Sequence, residues 1–269
     1  ALGTLAACSG GEGEGHEGAA GVEGVEGEGA EGAPTAEVLS ALGEGGEGGE
    51  GAGEGEGAMD SALTAADDTA YLTQIGLMRG HLWVGHQLYL NGLPNMAQTH
   101  MKHPKAELYS TLEEPFAARG VEGFSAELEL LAEGVTNEAG QAQVESAYSA
   151  LKTAIRNSEM GASTDSPKVV GEVIVGLLRT AAEEYAIGVV DGKINNLHEY
   201  QDALGFTKIA AEWARSPAFA SSSAATAAAA SIQTTLAELD DMWPELAPKG
   251  VVQQKAARLF GAAARIEIQ

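Results

Sequence analysis

An abrupt change in composition near residue 58 divides this chain into two parts that cannot share one kind of structure. Residues 8–58 contain 13 Glu, 19 Gly and no Lys or Arg, and the first basic residue of the chain is Arg79. Glycine maximises backbone entropy and like-charged Glu side chains repel one another, so no apolar cluster offsets the cost of ordering. Residues 8–59 are therefore predicted to be a disordered acidic linker. A folded core is expected only from the residues that follow.

Net charge narrows the range of partners. The chain has 39 acidic and 15 basic residues and a formal charge of −24, and residues 59–269 keep 26 of the acids against the same 15 bases. Such a polyanion is repelled by phosphate backbones, which excludes nucleic acid as a natural partner. The remaining ~210 residues are enough to bury one sizeable hydrophobic core.

Cys8 is the single cysteine of the chain, so an intrachain disulfide and a thiolate metal cluster are both excluded. The run Leu5-Ala6-Ala7 before it resembles the lipobox of bacterial lipoproteins. The resemblance implies that Cys8 is lipidated and that residues 1–7 are the remnant of a lipoprotein signal peptide. It also implies a lipid-anchored protein on the periplasmic or cell-surface face of a bacterial membrane. Ser9 favours the outer membrane, because lipoproteins retained at the inner membrane commonly have Asp there.

From residue 60 onward the sequence has the periodicity of helices. Apolar residues recur three and four apart, Ala is abundant, and no window alternates long enough to form a strand. The pattern predicts an all-α fold of about eight helices in antiparallel bundles, with one half at 60–160 and the other at 167–269. A connection is predicted at 95–103, and the helix that follows it should have a kink or an early break at Pro115. The predicted helices lie at about 65–91, 105–118, 122–134, 137–158, 168–190, 196–214, 218–239 and 248–266. The most apolar window, 71–90, carries Arg79 and two histidines, so we expect a buried helix rather than a membrane span.

Histidine and methionine cluster in the first half, where four of the six histidines lie within 23 residues. Imidazole with thioether suits copper, whereas imidazole with carboxylate suits iron or zinc. On a straight helix His81 and His86 diverge by about 140°, so one ion cannot take both without a bend. The alternative is a core histidine at position 81 beside close-packed glycines, followed by a solvated turn. The first predicted metal site consists of His81, His86, Met96, His100, Met101 and His103.

An acidic segment in the second half provides a different candidate, formed by Glu183, Glu184, Glu199 and Asp202. Four carboxylates favour a hard ion such as ferric iron. The alternative is purely structural, because Asn196 with Glu199 has the spacing of a capping box and Asp191-Gly192 is a turn dipeptide.

The run EEYAIGVVDGKINNLHEYQDALGF at 183–206 resembles the extracytoplasmic helical region of bacterial high-affinity ferric-iron permeases. That resemblance implies a relative of the soluble accessory region rather than a transporter, with iron as the bound metal. Imelysin-type lipoproteins are a looser comparison, since neither Gly80-His81 nor Gly85-His86 completes their Gly-x-His-x-x-Glu signature. The positions that carry the permease resemblance are Tyr185, Asp191, Gly192, Lys193, Asn195, Glu199 and Tyr200.

Together these features predict a lipid-anchored extracytoplasmic metal-binding protein that assists metal uptake in the cell envelope. Iron is the expected ion, copper is the second, and an envelope protein is the expected partner. No nucleophile elbow or zincin helix is present in the sequence, so we expect no enzyme. The alternative function is an interaction lipoprotein whose helical bundle docks another envelope protein without metal.

Overall fold

The computed structural model describes residues 59–268, apart from the side chains of His103 and Glu107. The predicted linker and the predicted lipidation site at Cys8 therefore lie outside the described residues, except for Met59. That residue is buried, and its main-chain N–H donates to Gln74 Oε1 at 3.1 Å, so the helical fold begins no later than Met59.

The described residues form a bundle of α-helices, which confirms the predicted all-α fold. The helices are α1 (Ser61–Ala66), α2 (Asp68–Leu90), α3 (Pro94–His103), α4 (Glu113–Arg119), α5 (Ser125–Thr136), α6 (Gln141–Glu159), α7 (Pro167–Gly188), α8 (Leu197–Trp213), α9 (Ser223–Ala237) and α10 (Ala257–Glu267). A two-stranded hairpin, β1 (Val189–Val190) with β2 (Lys193–Ile194), joins α7 to α8.

Helix α2 lies at the centre of the bundle. It is capped by Asp67, whose side chain accepts from Ala70 N–H, and nearly all of its residues from Ala70 to Leu88 are buried. A helix that is apolar on every side must be covered by other elements, and α2 packs against α3, α6, α7 and α8. Within the described residues no helix is both long enough and apolar enough to cross a bilayer.

Residues 94–119 differ in detail from the sequence prediction, which placed a connection at 95–103 and one helix at about 105–118. The connection is helix α3, which starts with Pro94, a residue suited to a first helical turn. The predicted helix is broken into a π-turn at Pro104–Leu108, a 3₁₀ turn at Ser110–Leu112 and α4. Pro104 has no N–H to continue α3, whereas Pro115 is tolerated in the first turn of α4.

Two backbone features position α8 against its neighbours. The loop of the β1–β2 hairpin is Asp191-Gly192, with φ of 51° and 73°, and two positive φ values are typical of a tight type I′ turn. Helices α2 and α8 cross at Gly80 and Gly205, so closely that a Cβ on Gly205 would lie 2.5 Å from the Gly80 carbonyl oxygen. Only glycine permits this separation of the two helices.

Candidate metal centre

A buried carboxylate, Asp202 on α8, lies at the centre of a cluster of histidines. Its Oδ1 is 2.6 Å from His81 Nδ1 on α2 and 3.0 Å from His100 Nδ1 on α3. Its Oδ2 is 2.9 Å from His198 Nδ1, one turn earlier on α8. The Nδ1 atoms of three imidazoles from three helices therefore converge on one carboxylate.

Glycines beside the ligands bring these helices together. Gly80, which precedes His81 on α2, makes the close crossing with Gly205, which lies three residues after Asp202 on α8. Gly85 lets α3 approach α2 closely, since a Cβ at this position would lie 3.2 Å from the His100 Cβ. Because the contacts are made through backbone, the positions of the donor-bearing side chains are fixed by rigid helices rather than by loops.

Ring packing further fixes the orientation of the imidazoles. His100 and His198 stack with centroids 4.1 Å apart and an interplanar angle of 9°. The His81 ring lies 6.5 Å from each of them, and Phe206 contacts it edge-on with centroids 5.0 Å apart.

Electrostatics keep Asp202 ionised. Burial alone raises the pKa of this carboxyl, but the charges of His81 and His100, with hydrogen bonds from His100 and His198, outweigh burial and hold the pKa well below its ordinary value. Glu199, also buried, lies one turn before Asp202 and its Oε1 accepts from the amide of Asn196 at 3.0 Å. An ionised carboxylate among imidazoles is the form that a metal cation requires.

The distances fit a metal ion. Within each of the sets His81–His100–Asp202 and His198–Glu199–Asp202, one donor atom per residue lies within 4.8 Å of the others. Two ligands about 2.1 Å from one ion are ~3.0 Å apart at right angles and ~4.2 Å apart when opposite. Within either set the three donors would therefore need to move by less than about 1 Å to share an ion. Imidazole with carboxylate is a donor set for ferrous iron, zinc or copper.

The centre combines residues from both of the sites that the sequence predicted as alternatives. His81 and His100 come from the histidine and methionine set, and Glu199 and Asp202 come from the acidic set. Spacing along the chain could not join them, because Asp202 is 121 residues from His81 and 102 from His100. His198 was not among the predicted residues, although its i, i+4 relation to Asp202 puts both on one face of α8.

The other predicted ligands lie elsewhere or outside the described groups. His86 faces away from the centre, where its Nε2 is 2.8 Å from Glu145 Oε2 and its ring stacks on Tyr148. Met101 is buried against Gly85, and Met96 is exposed. The side chain of His103 is outside the description. Glu183, whose pKa is raised by burial, and the buried Glu184 belong to neither described donor set.

The fold and the cluster define an all-helical bundle with a buried histidine and carboxylate centre. Residues 160–267 match the family of iron permease-associated 4-helix bundle domains, which relates this half of the chain to ferric-iron permease systems. The match includes α7 to α10, and therefore His198, Glu199 and Asp202, but not His81 or His100. Searches among curated proteins and among solved structures give no significant match. The likeness to imelysin-type lipoproteins gains no support from these comparisons.

Proposed function

We propose that this protein binds one divalent transition metal ion, iron in the first place, at the centre formed by His81, His100, His198, Glu199 and Asp202. The convergence of three Nδ1 atoms on the ionised Asp202 is the observation that carries the proposal. The preference for iron rests on the match of residues 160–267 to iron permease-associated domains. The role is that of a binding protein that assists iron uptake, without catalysis.

Charge balance favours a single ion. Glu199 and Asp202 supply two negative charges when both are ionised, and one divalent cation neutralises them. Two divalent ions would leave a net charge of about +2 among side chains that are almost completely buried, which is costly because buried charge must be compensated.

Metal titration tests the proposal. We expect the full chain to bind about one equivalent of Fe(II) under anaerobic conditions, measured by calorimetry and by metal analysis after gel filtration. His81→Ala and Asp202→Asn should each weaken binding at least tenfold, since each removes a ligand. His86→Ala is the matched control and should bind like the wild type, because His86 faces Glu145 instead. A folded wild-type protein that gives no heat with Fe(II), Zn(II) or Cu(II) would eliminate the metal function.

The second candidate function is metal-free docking of an envelope protein through the bundle. The metal-free part of this alternative is supported by the Asp202 oxygens, which are at hydrogen-bond distance from all three histidines, so the cluster can hold α2, α3 and α8 together by itself. Under this alternative, substitutions in the cluster lower stability while no ion binds the wild type.

Anchoring is a separate part of the proposal. We propose that Cys8 carries a lipid that holds the domain at the membrane, within reach of a permease-type partner. A precursor with its signal peptide, expressed in a bacterial host, should partition into the detergent phase, and Cys8→Ser should move it to the aqueous phase. Recovery of the wild type in the aqueous phase with an unmodified thiol would contradict the anchor.

A further inference from the structure

Residues 242–246, here called the strap, cross the N-terminal end of α8 next to the candidate centre. The strap is mostly non-helical and is held by hydrogen bonds between side chains and main-chain carbonyls rather than by a helix ladder. These bonds run from Tyr185 Oη to Met242 O (3.4 Å), Tyr200 Oη to Glu245 O (2.9 Å), Gln201 Nε2 to Leu246 O (3.0 Å) and Trp243 Nε1 to Tyr200 O (3.3 Å).

Gln201 is the residue that connects the strap to a predicted ligand. Its Nε2 donates to the Leu246 carbonyl, and its Oε1 lies 2.9 Å from His100 Nε2. The side chain is almost completely buried, at 2% exposure. A main-chain carbonyl only accepts, so the amide nitrogen must face Leu246 and the amide oxygen must face His100. His100 Nε2 therefore carries the hydrogen and donates it to Gln201.

This contact selects the tautomer of His100. His100 Nδ1 is the atom that faces Asp202, at 3.0 Å, and it donates a hydrogen bond to that carboxylate in the metal-free protein. Because Nε2 keeps its hydrogen for Gln201, Nδ1 is the nitrogen that can give up its hydrogen and offer its lone pair to an ion. Hydrogen bonds to the outer nitrogen of metal-binding histidines have this orienting role, and their loss typically lowers metal affinity by about 10- to 100-fold.

We propose that Gln201 is a positioning residue that directs His100 Nδ1 toward the ion and links occupancy of the centre to closure of the strap; this inference rests on the proposed metal binding. His81, His100 and Asp202 are fully buried, so an element must move before an ion reaches them. The helices that carry these ligands are held by continuous backbone hydrogen bonds, whereas the strap is held by a few side-chain bonds and is the element that opens. Gln201 is the shared contact, so a bound ion favours the closed strap.

Two substitutions separate the two contacts of Gln201. Gln201→Glu keeps an acceptor for His100 Nε2 and replaces the donor to Leu246 by a second acceptor, which releases the strap. We expect Gln201→Glu to bind Zn(II) as tightly as the wild type or more tightly. Bound Zn(II) should exchange with free Zn(II) at least fivefold faster than in the wild type. Gln201→Leu removes both contacts, and we expect affinity to fall at least tenfold and the visible spectrum of bound Co(II) to change. Gln233→Leu is the matched control, because it removes a similar bond, to Ala214 O, from a glutamine on α9.

Hydrogen exchange of strap amides provides the readout that a merely structural role would not change. Zn(II) should slow exchange in the strap of the wild type and of Gln233→Leu, and should have no such effect in Gln201→Glu. The inference is overturned, while the metal function stands, if the wild type binds metal and both Gln201→Glu and Gln201→Leu match it in metal affinity, rate of Zn(II) exchange and Co(II) spectrum. A wild type that binds no ion contradicts the proposed function itself. If Gln201→Leu fails to fold, Gln201→Glu alone decides.

Discussion

At the scale of single residues, Asp202 joins parts of the chain that are more than 100 residues apart, through His81 on α2 and His100 on α3. Its two oxygens are shared by three imidazoles. The negative charge of this one side chain is thus a structural element of the metal-free protein as well as a predicted ligand.

Asp202→Asn should lower the free energy of unfolding of the metal-free protein by about 3–5 kcal/mol, because it leaves buried imidazoles without their anion. The pKa of Asp202 is depressed in the folded state, so its stabilisation is present above the unfolded-state pKa near ~3.9 and is lost only as pH falls through the folded value. The difference from wild type in urea unfolding should therefore be no smaller at pH 4.5 than at pH 7. The exposed Asp165→Asn should change stability by less than ~0.5 kcal/mol. A small effect of Asp202→Asn would contradict the central role of this carboxylate.

Residue types alone were enough to select four of the five residues of the centre, since His81, His100, Glu199 and Asp202 were each predicted as ligands. Their combination could not be predicted, because it depends on the crossing of α2 with α8 and on the packing of α3, neither of which leaves a periodic signal.

At the scale of helices, the crossing of α2 and α8 depends on the absence of side chains at Gly80 and Gly205. Gly205→Ala should destabilise the protein by about 1–3 kcal/mol, because the added methyl group would press on backbone that cannot move aside. It should also weaken metal binding by separating His81 from Asp202. Gly261→Ala, in the middle of α10 with open space around it, should instead stabilise by about 0.5–1 kcal/mol. Thermal melting and metal titration of both variants check this, and a neutral Gly205→Ala would contradict it.

Arg79 on α2 links two other helices by ion pairs. Its guanidinium contacts Glu159 on α6 at 2.9 Å and Glu212 on α8, and it lies over the Trp213 ring. Burial raises the pKa of Glu159, although Arg79 acts in the opposite direction. Without the arginine we expect Glu159 to accept a proton at still higher pH, and its neutral form costs less to bury.

Arg79→Met should therefore lower stability by about 2 kcal/mol at pH 8 and by less at pH 5, because Glu159, whose pKa is already raised by burial, takes up a proton more readily as the pH falls. Adding Glu159→Gln should recover much of the loss at pH 8. Urea unfolding at the two pH values measures both effects. Lys105→Met, which removes an exposed pair with Glu129, should cost less than ~1 kcal/mol at either pH. A pH-independent loss in Arg79→Met would show that packing rather than charge dominates at this position.

The helical periodicity predicted most of the long helices within a few residues, since their apolar stripes face the core. The break at 104–112 was not predicted, and the kink expected at Pro115 does not occur. A proline stops a helix or is tolerated depending on its place in the turn, and that place is set by where the neighbouring helices end. Pro104 follows the last residue of α3 and ends that helix. Pro115 lies in the first turn of α4, where a backbone N–H would have no hydrogen-bond partner within the helix.

At the scale of the whole molecule, the boundary of the family match at residues 160–267 does not coincide with a boundary in packing. Helices α7 and α8 lie within the matched region, yet both pack against α2 from the other half. Two of the three histidines at the centre also come from outside the match.

A fragment of residues 160–269 should therefore fail to form a stable monomer, because the surfaces of α7 and α8 that cover α2 would be exposed to water. It should also bind Fe(II) far more weakly than the full chain, since it lacks His81 and His100. Adding a fragment of residues 59–159 should restore both a cooperative melt and metal binding, as measured by gel filtration, circular dichroism and calorimetry. A monomeric fragment that melts and binds like the full chain would contradict this interdependence.

The convergence of α2, α3 and α8 on Asp202 also determines when the centre comes into existence during folding. In an unfolded chain only His198, Glu199 and Asp202 are near one another, because His81 and His100 reach Asp202 only through contacts that span more than 100 residues. The proposed ion would therefore meet its complete set of ligands only after these contacts have formed. An ion that binds only the folded state would slow unfolding without accelerating the early steps of folding, so metal retention would distinguish completely folded molecules from incomplete ones.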